Sequence, residues 1–167
     1  MASLMLAAPT AWGQEATGTF VNHDGSEAGT VTLTQAGDGV TLSGAAMGLA
    51  EGDHGIHFHT IGTCDPATKF ESAGEHFDPA GHQHGLDNPE GPHAGDLPNI
   101  SASADGSAQF ELTTQMISLT EGEDGYVFDA DGTALIIHAG ADDQATDPSG
   151  NSGERVLCAV IEEALAP

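Results

Sequence analysis

The chain has 167 residues, and its 26 acidic side chains stand against 2 basic ones, Lys69 and Arg155, for a formal net charge of −24. Nothing in that balance can neutralise a row of phosphates, which argues against nucleic acid and against anionic membranes as partners. Apolar residues at 38% suffice for one folded domain, and 23 glycines without a period exclude collagen. An acidic surface of this density suits high salt, where self-repulsion is screened, so a halophilic setting is expected.

The first residues carry a short apolar run, Leu4 to Ala8, followed by Ala11-Trp12-Gly13, small residues of the kind found at a signal-peptidase site. No Lys or Arg precedes the run, and it is too short to span a bilayer. Residues 1–15 are expected to be a leader remnant or a disordered N-terminus, and 16–167 a single domain.

Helix signals are almost absent and strand signals recur. Val31 and Leu33 alternate with Thr30, Thr32 and Thr34. A turn at Gly37-Asp38-Gly39 leads to Val40 and Leu42. Ile100, Ala102 and Ala104 run into Asp105-Gly106, and Ala108, Phe110 and Leu112 run out of it, a hairpin signal. Asp131-Gly132 precedes the apolar run Ala134 to Ile137, and the last run, Arg155 to Ile161, alternates again. Short strands with regular turns predict an antiparallel sandwich or barrel. Two stretches break the pattern: Thr60 to Leu97, rich in Gly and Pro with four His, and Ala139 to Glu154. So long an irregular segment points to function, with a bound metal as the ordering element. Cys64 and Cys158 form no CxxC pair, so a thiolate zinc site is disfavoured, and one disulfide in an oxidising compartment is the alternative.

Nine histidines beside two other basic residues are a compositional anomaly. In His54-Gly55-Ile56-His57-Phe58-His59, alternation along a strand puts His57 and His59 on one face and Ile56 and Phe58 on the other, toward the core. His54 has the parity of Ile56 and faces away from the pair. An HxH strand is a metal signal, set against two ordinary surface imidazoles. His76, His84, His93 and Asp96 follow in the irregular stretch, and three His with one carboxylate make a closed tetrahedral zinc site. His138 ends the run Leu135-Ile136-Ile137 and is placed to return to the His57/His59 face.

These segments, with Gly74-Glu75-His76-Phe77-Asp78-Pro79, His93-Ala94-Gly95-Asp96-Leu97 and Gly153-Glu154-Arg155-Val156-Leu157-Cys158, resemble the copper/zinc superoxide dismutases of the bacterial secreted type, over roughly Gly18 to Ile161. The resemblance implies an eight-stranded antiparallel Greek-key β-sandwich or barrel, all-β, with long metal-binding and electrostatic loops. It implies copper on His57, His59, His76 and His138, and zinc on His76, His84, His93 and Asp96, with His76 bridging the two. It further implies Asp142 linking a copper-ligand His to a zinc-ligand His, and Arg155 and His76 as the catalytic side chains. A Cys64–Cys158 disulfide follows in the same way, as does a Lys69 that guides the anion. The implied reaction is dismutation of superoxide to dioxygen and hydrogen peroxide in the periplasm or outside the cell. Bacterial relatives occur as monomers and dimers, so a homodimer is one expected state. The alternative is a copper/zinc binding or scavenging protein without turnover, which has no need of a guanidinium beside the metal. His54 is expected to be structural, His23 and His82 surface residues, and His82 is the rival of His84 for zinc. Ala139–Glu154 carries no Lys or Arg, a departure that weakens substrate guidance.

Overall fold

The computed structural model describes residues 14–164, so residues 1–13 of the expected leader, Trp12 among them, lie outside the described residues, while Glu15, counted with that leader, opens the first strand. The described residues contain ten strand segments: β1 (Glu15–Val21), β2 (Glu27–Ala36), β3 (Gly39–Ala46), β4 (Gly52–His54), β5 (Ile56–His59), β6 (Ile100–Ala102), β7 (Ala108–Thr114), β8 (Ala134–His138), β9 (Arg155–Val160) and β10 (Glu162–Glu163). Among the described residues the only helical pieces are two single turns, Pro66–Thr68 and Glu71–Ala73. No helix there is long and apolar enough to cross a membrane.

These named strands all pair antiparallel. The large sheet runs β5-β8-β9-β1-β2-β3-β7, with β10 beside β1, and β4 pairs separately with β6. The hairpins β1–β2 and β2–β3 are local, while the returns from β3 to β5 and from β7 to β8 cross over, which is the Greek-key arrangement expected. The alternation in β2 and β3 buries Val31, Leu33, Val40 and Leu42 and turns the threonines between them outward or to the rim. With Phe20, Ile56, Phe58, Leu135, Ile137, Leu157 and Ala159 they form the main core. β1 is the strand the composition concealed: its Ala-Thr-Gly-Thr run carries little apolar signal, yet Ala16 and Phe20 are fully buried.

β5 and β8 position the site. Ile56 lies opposite Ile137 and Phe58 opposite Leu135, whereas His57 lies opposite Ile136 and His59 opposite Ala134. Directly paired residues share a face, so the histidines project from the side turned away from the main core. His138, two residues on from Ile136, shares that face by alternation, just past a register shift of β8 against β9 between Ile137 and His138. That outer face is buried because the Thr60–Leu97 segment lies across it. Phe58 N–H donates to the Gly95 carbonyl at 2.9 Å, and Phe77 N–H donates to the Phe58 carbonyl at 2.8 Å. A Cβ on Gly95 would stand 2.5 Å from the Phe58 carbonyl oxygen, so only glycine permits that approach.

The covering segment has more apolar anchorage than its sequence suggests. Phe70 and Ala73 pack with Ala134, Ile136 and Cys158 in a second cluster, and the Cys64–Cys158 disulfide closes beside it. Phe77, Ala94 and Leu97 reach the main core. Between residues 78 and 92 only His84 and Gly85 are buried, and Leu86 is exposed. Where apolar burial is absent, metal binding supplies the ordering free energy. Stripping the metals is therefore expected to raise amide hydrogen exchange in 78–92 first and to leave 60–77 largely protected. Equal protection of 78–92 with and without metal would show that metal does not order it.

Candidate metal centre

Six imidazoles and two carboxylates meet between β5, β8 and the covering segments. Nitrogen atoms of His57, His59, His76 and His138 lie within 4.8 Å of one another, all four residues being buried. One nitrogen of each is fully buried without a hydrogen-bond partner: Nδ1 of His57 and Nε2 of His59, His76 and His138. The opposite nitrogens are all engaged. His59 Nδ1 meets the Gly74 carbonyl at 2.8 Å and His138 Nδ1 the Gly153 carbonyl at 3.1 Å. His57 Nε2 meets Asp142 Oδ2 at 2.6 Å, and His76 Nδ1 meets Asp96 Oδ1 at 3.0 Å. Leaving a buried polar atom without a partner is costly, and four such atoms this close together fit the ligand set of a metal ion.

A second cluster adjoins the first through His76. Asp96 Oδ1 lies 3.0 Å from His76 Nδ1, 2.9 Å from His84 Nδ1 and 3.4 Å from His93 Nδ1, and the His76 and His93 Nδ1 atoms are 3.4 Å apart. Tetrahedral zinc with bonds of about 2.0–2.2 Å sets its ligand atoms roughly 3.3–3.6 Å apart, so this set fits zinc after a small expansion. Asp96 Oδ2 is held back by the backbone N–H groups of Gly85 and His93, at 2.8 and 3.0 Å. His57 also lies near His76, His84 and Asp96, but Asp142 occupies its Nε2, so His93 is the fourth member by geometry.

Asp142 ties the clusters together. Its Oδ2 accepts from His57 and its Oδ1 meets His84 Nε2 at 3.0 Å. Its own backbone is clamped by Asn99, whose side chain gives and takes one bond of 2.8 Å each with the Asp142 carbonyl and N–H. Asn99 was not legible as part of the site, since a lone Asn before a strand has no distinguishing spacing. Nor was Asp147, whose Oδ1 accepts from the His84 N–H at 2.8 Å. A Cβ on Gly150, which has φ +61°, would collide with the Asp142 carboxylate, so that turn needs glycine for both space and conformation.

Burial governs the protonation of the first cluster. It lowers His57, and it lowers His59 well below the usual value, helped there by the charges of His76 and Arg155. It takes His76 down to about 4 and His138 to about 3. These rings are neutral at physiological pH and offer lone pairs. His84 goes the other way: burial opposes its charge, but hydrogen bonds to Asp142 and Asp96 outweigh it and raise it to about 9. Asp96 and Asp142 are held below the usual carboxylate range by their histidine partners against the pull of burial.

Arg155 opens β9 beside His138, and its side chain is about one-tenth exposed. It donates to the Phe70 carbonyl at 2.8 Å and lies 3.7 Å from Glu71. Lys69 is exposed and faces Glu154 at 3.4 Å. His54 lies outside the clusters, buried between the carbonyls of His138 and Ala50 at 2.7 and 2.9 Å. His82 is exposed, and His84, its rival, is fully buried. His23 is exposed but bonded to the Arg155 carbonyl.

The profile of the copper/zinc superoxide dismutase family (SODC) matches residues 27–161. The chain belongs to that family. It is 40% identical over 159 residues to the copper–zinc superoxide dismutase 2 of Aquifex aeolicus, covering 95% of this chain and 92% of that protein. Identity with the copper–zinc superoxide dismutase of Caulobacter vibrioides is 45% over 142 residues, 83% and 80% of the two chains. Among solved structures, a proline-to-histidine mutant of a SOD-like protein from Bacillus subtilis superposes with a TM-score of 0.82 at 39% identity, over 86% of this chain and 95% of that one. The fold, and copper and zinc as the metals, follow from membership of the superoxide dismutase family.

The loop that carries Asp142 has its own clamp. Asp143 accepts from the Thr146 hydroxyl at 2.6 Å, from the N–H groups of Thr146 and Ala145, and from the Asn151 amide at 2.8 Å. Led by the Thr146 hydroxyl, these donors lower Asp143 to about 2. A depressed carboxyl adds stability above its unfolded value, about 3.9, and loses it as pH falls through about 2. An NMR titration of the Asp143 carboxyl is expected to have its midpoint near 2, with order in residues 143–151 lost alongside; a midpoint near the unfolded value would remove the clamp.

Proposed function

We propose that this chain disproportionates superoxide, with copper on His57 Nδ1 and the Nε2 atoms of His59, His76 and His138. Zinc sits on the Nδ1 atoms of His76, His84 and His93 and on Asp96 Oδ1. The observation that carries this reading is the set of four buried, partnerless imidazole nitrogens beside a carboxylate ringed by three others, with one histidine common to both. A copper held there supplies the one-electron exchange that turns two superoxide anions and two protons into dioxygen and hydrogen peroxide. Zinc adds charge and fixed geometry without redox chemistry. His76, shared by both clusters, moves a proton at Nε2. Asp142 fixes the ring orientations of His57 and His84, as carboxylate partners of metal-site histidines do. Arg155 receives the anion, since its charge is permanent and its fork of donors suits a small oxyanion. Lys69 guides the anion from outside.

The test is superoxide dismutation by the protein loaded with both metals, abolished by cyanide. Both metals bound without turnover would leave a binding or scavenging protein instead. The disulfide supports an oxidising compartment, periplasmic or extracellular, because such bonds persist there.

The acidic surface sets how the anion arrives. Superoxide dismutases work near the diffusion limit, so encounter controls the rate. The overall charge of −24 repels the anion at long range, and glutamates sit on both cations, Lys69 and Arg155. The Debye length falls from about 10 Å at 0.1 M salt to about 3 Å at 1 M. Salt therefore screens the distant repulsion more than the contact attraction by Arg155. kcat/KM from pulse radiolysis is expected to stay level or rise between about 0.01 and 1 M salt, in line with a halophilic setting. A steep monotonic fall would show that a local positive field controls encounter.

A further inference from the structure

His23 occupies the turn between β1 and β2, with no place in either metal cluster, yet it touches both things that hold Arg155. Its Nε2 lies 2.8 Å from the Arg155 carbonyl. A carbonyl only accepts, so that nitrogen is the donor. Its ring lies 4.9 Å, centroid to centroid, from the ring of Phe70, and the Phe70 carbonyl is the acceptor for the Arg155 guanidinium at 2.8 Å. One side chain thus braces the main chain from which the guanidinium hangs and the residue that grips its far end.

Both supports are themselves constrained. Phe70 is fully buried and left-handed, at φ 65°. A bulky residue keeps that conformation only where its surroundings over-determine it. The turn that carries His23 is tied across itself: Asn22 N–H donates to the Ser26 carbonyl at 3.0 Å. Asn22 Oδ1 accepts from the Asp24 N–H at 2.9 Å, and Asp24 Oδ1 accepts from the Ser26 N–H at 2.8 Å.

We infer that His23 is a positioning residue for Arg155, setting how firmly the guanidinium is presented to a small anion at the copper site. The inference rests on the reading of Arg155 as the group that receives the anion. It separates His23 from an ordinary exposed histidine, whose removal would change nothing at the site.

The probe is azide, a small anion, titrated against the copper- and zinc-loaded protein and followed in the copper absorption. A second readout is the rate at which phenylglyoxal modifies Arg155, the one arginine of the chain. Arg155→Gln sets the scale, with azide binding expected to weaken on the order of tenfold through loss of a charge-assisted contact. His23→Ala is expected to weaken azide about fivefold, the worth of one net hydrogen bond, and to speed phenylglyoxal modification, with both metals and the disulfide retained. His23→Gln, which keeps an N–H donor, recovers most of the loss, and His23→Phe, which keeps only the ring contact, recovers less. Azide affinity and modification rate unchanged in His23→Ala, with Arg155→Gln still impaired, overturn the positioning role alone. A loss in His23→Ala that comes with lost metal overturns it too, because the effect is then on folding. If Arg155→Gln itself binds azide normally, the reading of Arg155 fails and the positioning role falls with it.

Discussion

Removing the disulfide by Cys64→Ser together with Cys158→Ser is expected to lower stability by roughly 4–5 kcal/mol on the chain-entropy argument, with strain or residual denatured structure reducing it. The bridged residues are 94 apart, so the unfolded chain gains much freedom when the link is cut. The native side adds to the loss. Cys158 is fully buried in the cluster of Phe70, Ala73, Ala134 and Ile136, and serine hydroxyls fit that surface poorly. The same link anchors the segment whose Phe70 carbonyl holds Arg155, so anion affinity is expected to fall with stability. Urea unfolding of the metal-loaded double variant is the measurement. A destabilisation below about 1 kcal/mol would mean that the metals and the Phe70 cluster already constrain the segment, against the loop-entropy argument.

Asp142→Ala is expected to weaken the binding of both metals, by about 10- to 100-fold each. The carboxylate meets His57 at 2.6 Å and His84 at 3.0 Å, one ring from each proposed metal set. Without it, both buried Nε2 atoms lose their partner and both rings lose the contact that fixes their orientation. Asp142→Asn is expected to behave almost as badly, because its amide end cannot accept from an imidazole N–H. Competition against a chelator, read separately for copper and zinc, decides the matter. A loss confined to one metal would show that the carboxylate serves one site and only touches the other.

Much of the fold was legible because local rules and tertiary packing agree. Asp105-Gly106 turns between β6 and β7, and the alternation of Val31, Leu33, Val40 and Leu42 points inward as read. β1 was hidden because its threonines and glycine carry no apolar stripe, and only pairing with β2 and β9 makes it a strand. The Thr60–Leu97 segment reads as lacking a core. Phe70 and Ala73 nonetheless find one on the outer face of β8 and β9, a surface formed only once distant strands are paired. His23 and Asn99 reach the site in the same way, across 132 and 43 residues of sequence.

The sequence by itself determined the parity of the centre. A period of two puts His57 and His59 on one face and Ile56 and Phe58 on the other wherever the strand is placed. It also determined the ligand chemistry, imidazole with one carboxylate, and hence the class of metal. Only the tertiary structure decided which nitrogen of each ring is left for a cation. That choice is made by what occupies the other nitrogen: Gly74 for His59, Gly153 for His138 and Asp142 for His57. Those partners come from separate segments of the chain, and an imidazole has only two nitrogens, so the first contact made by the fold fixes the one that remains.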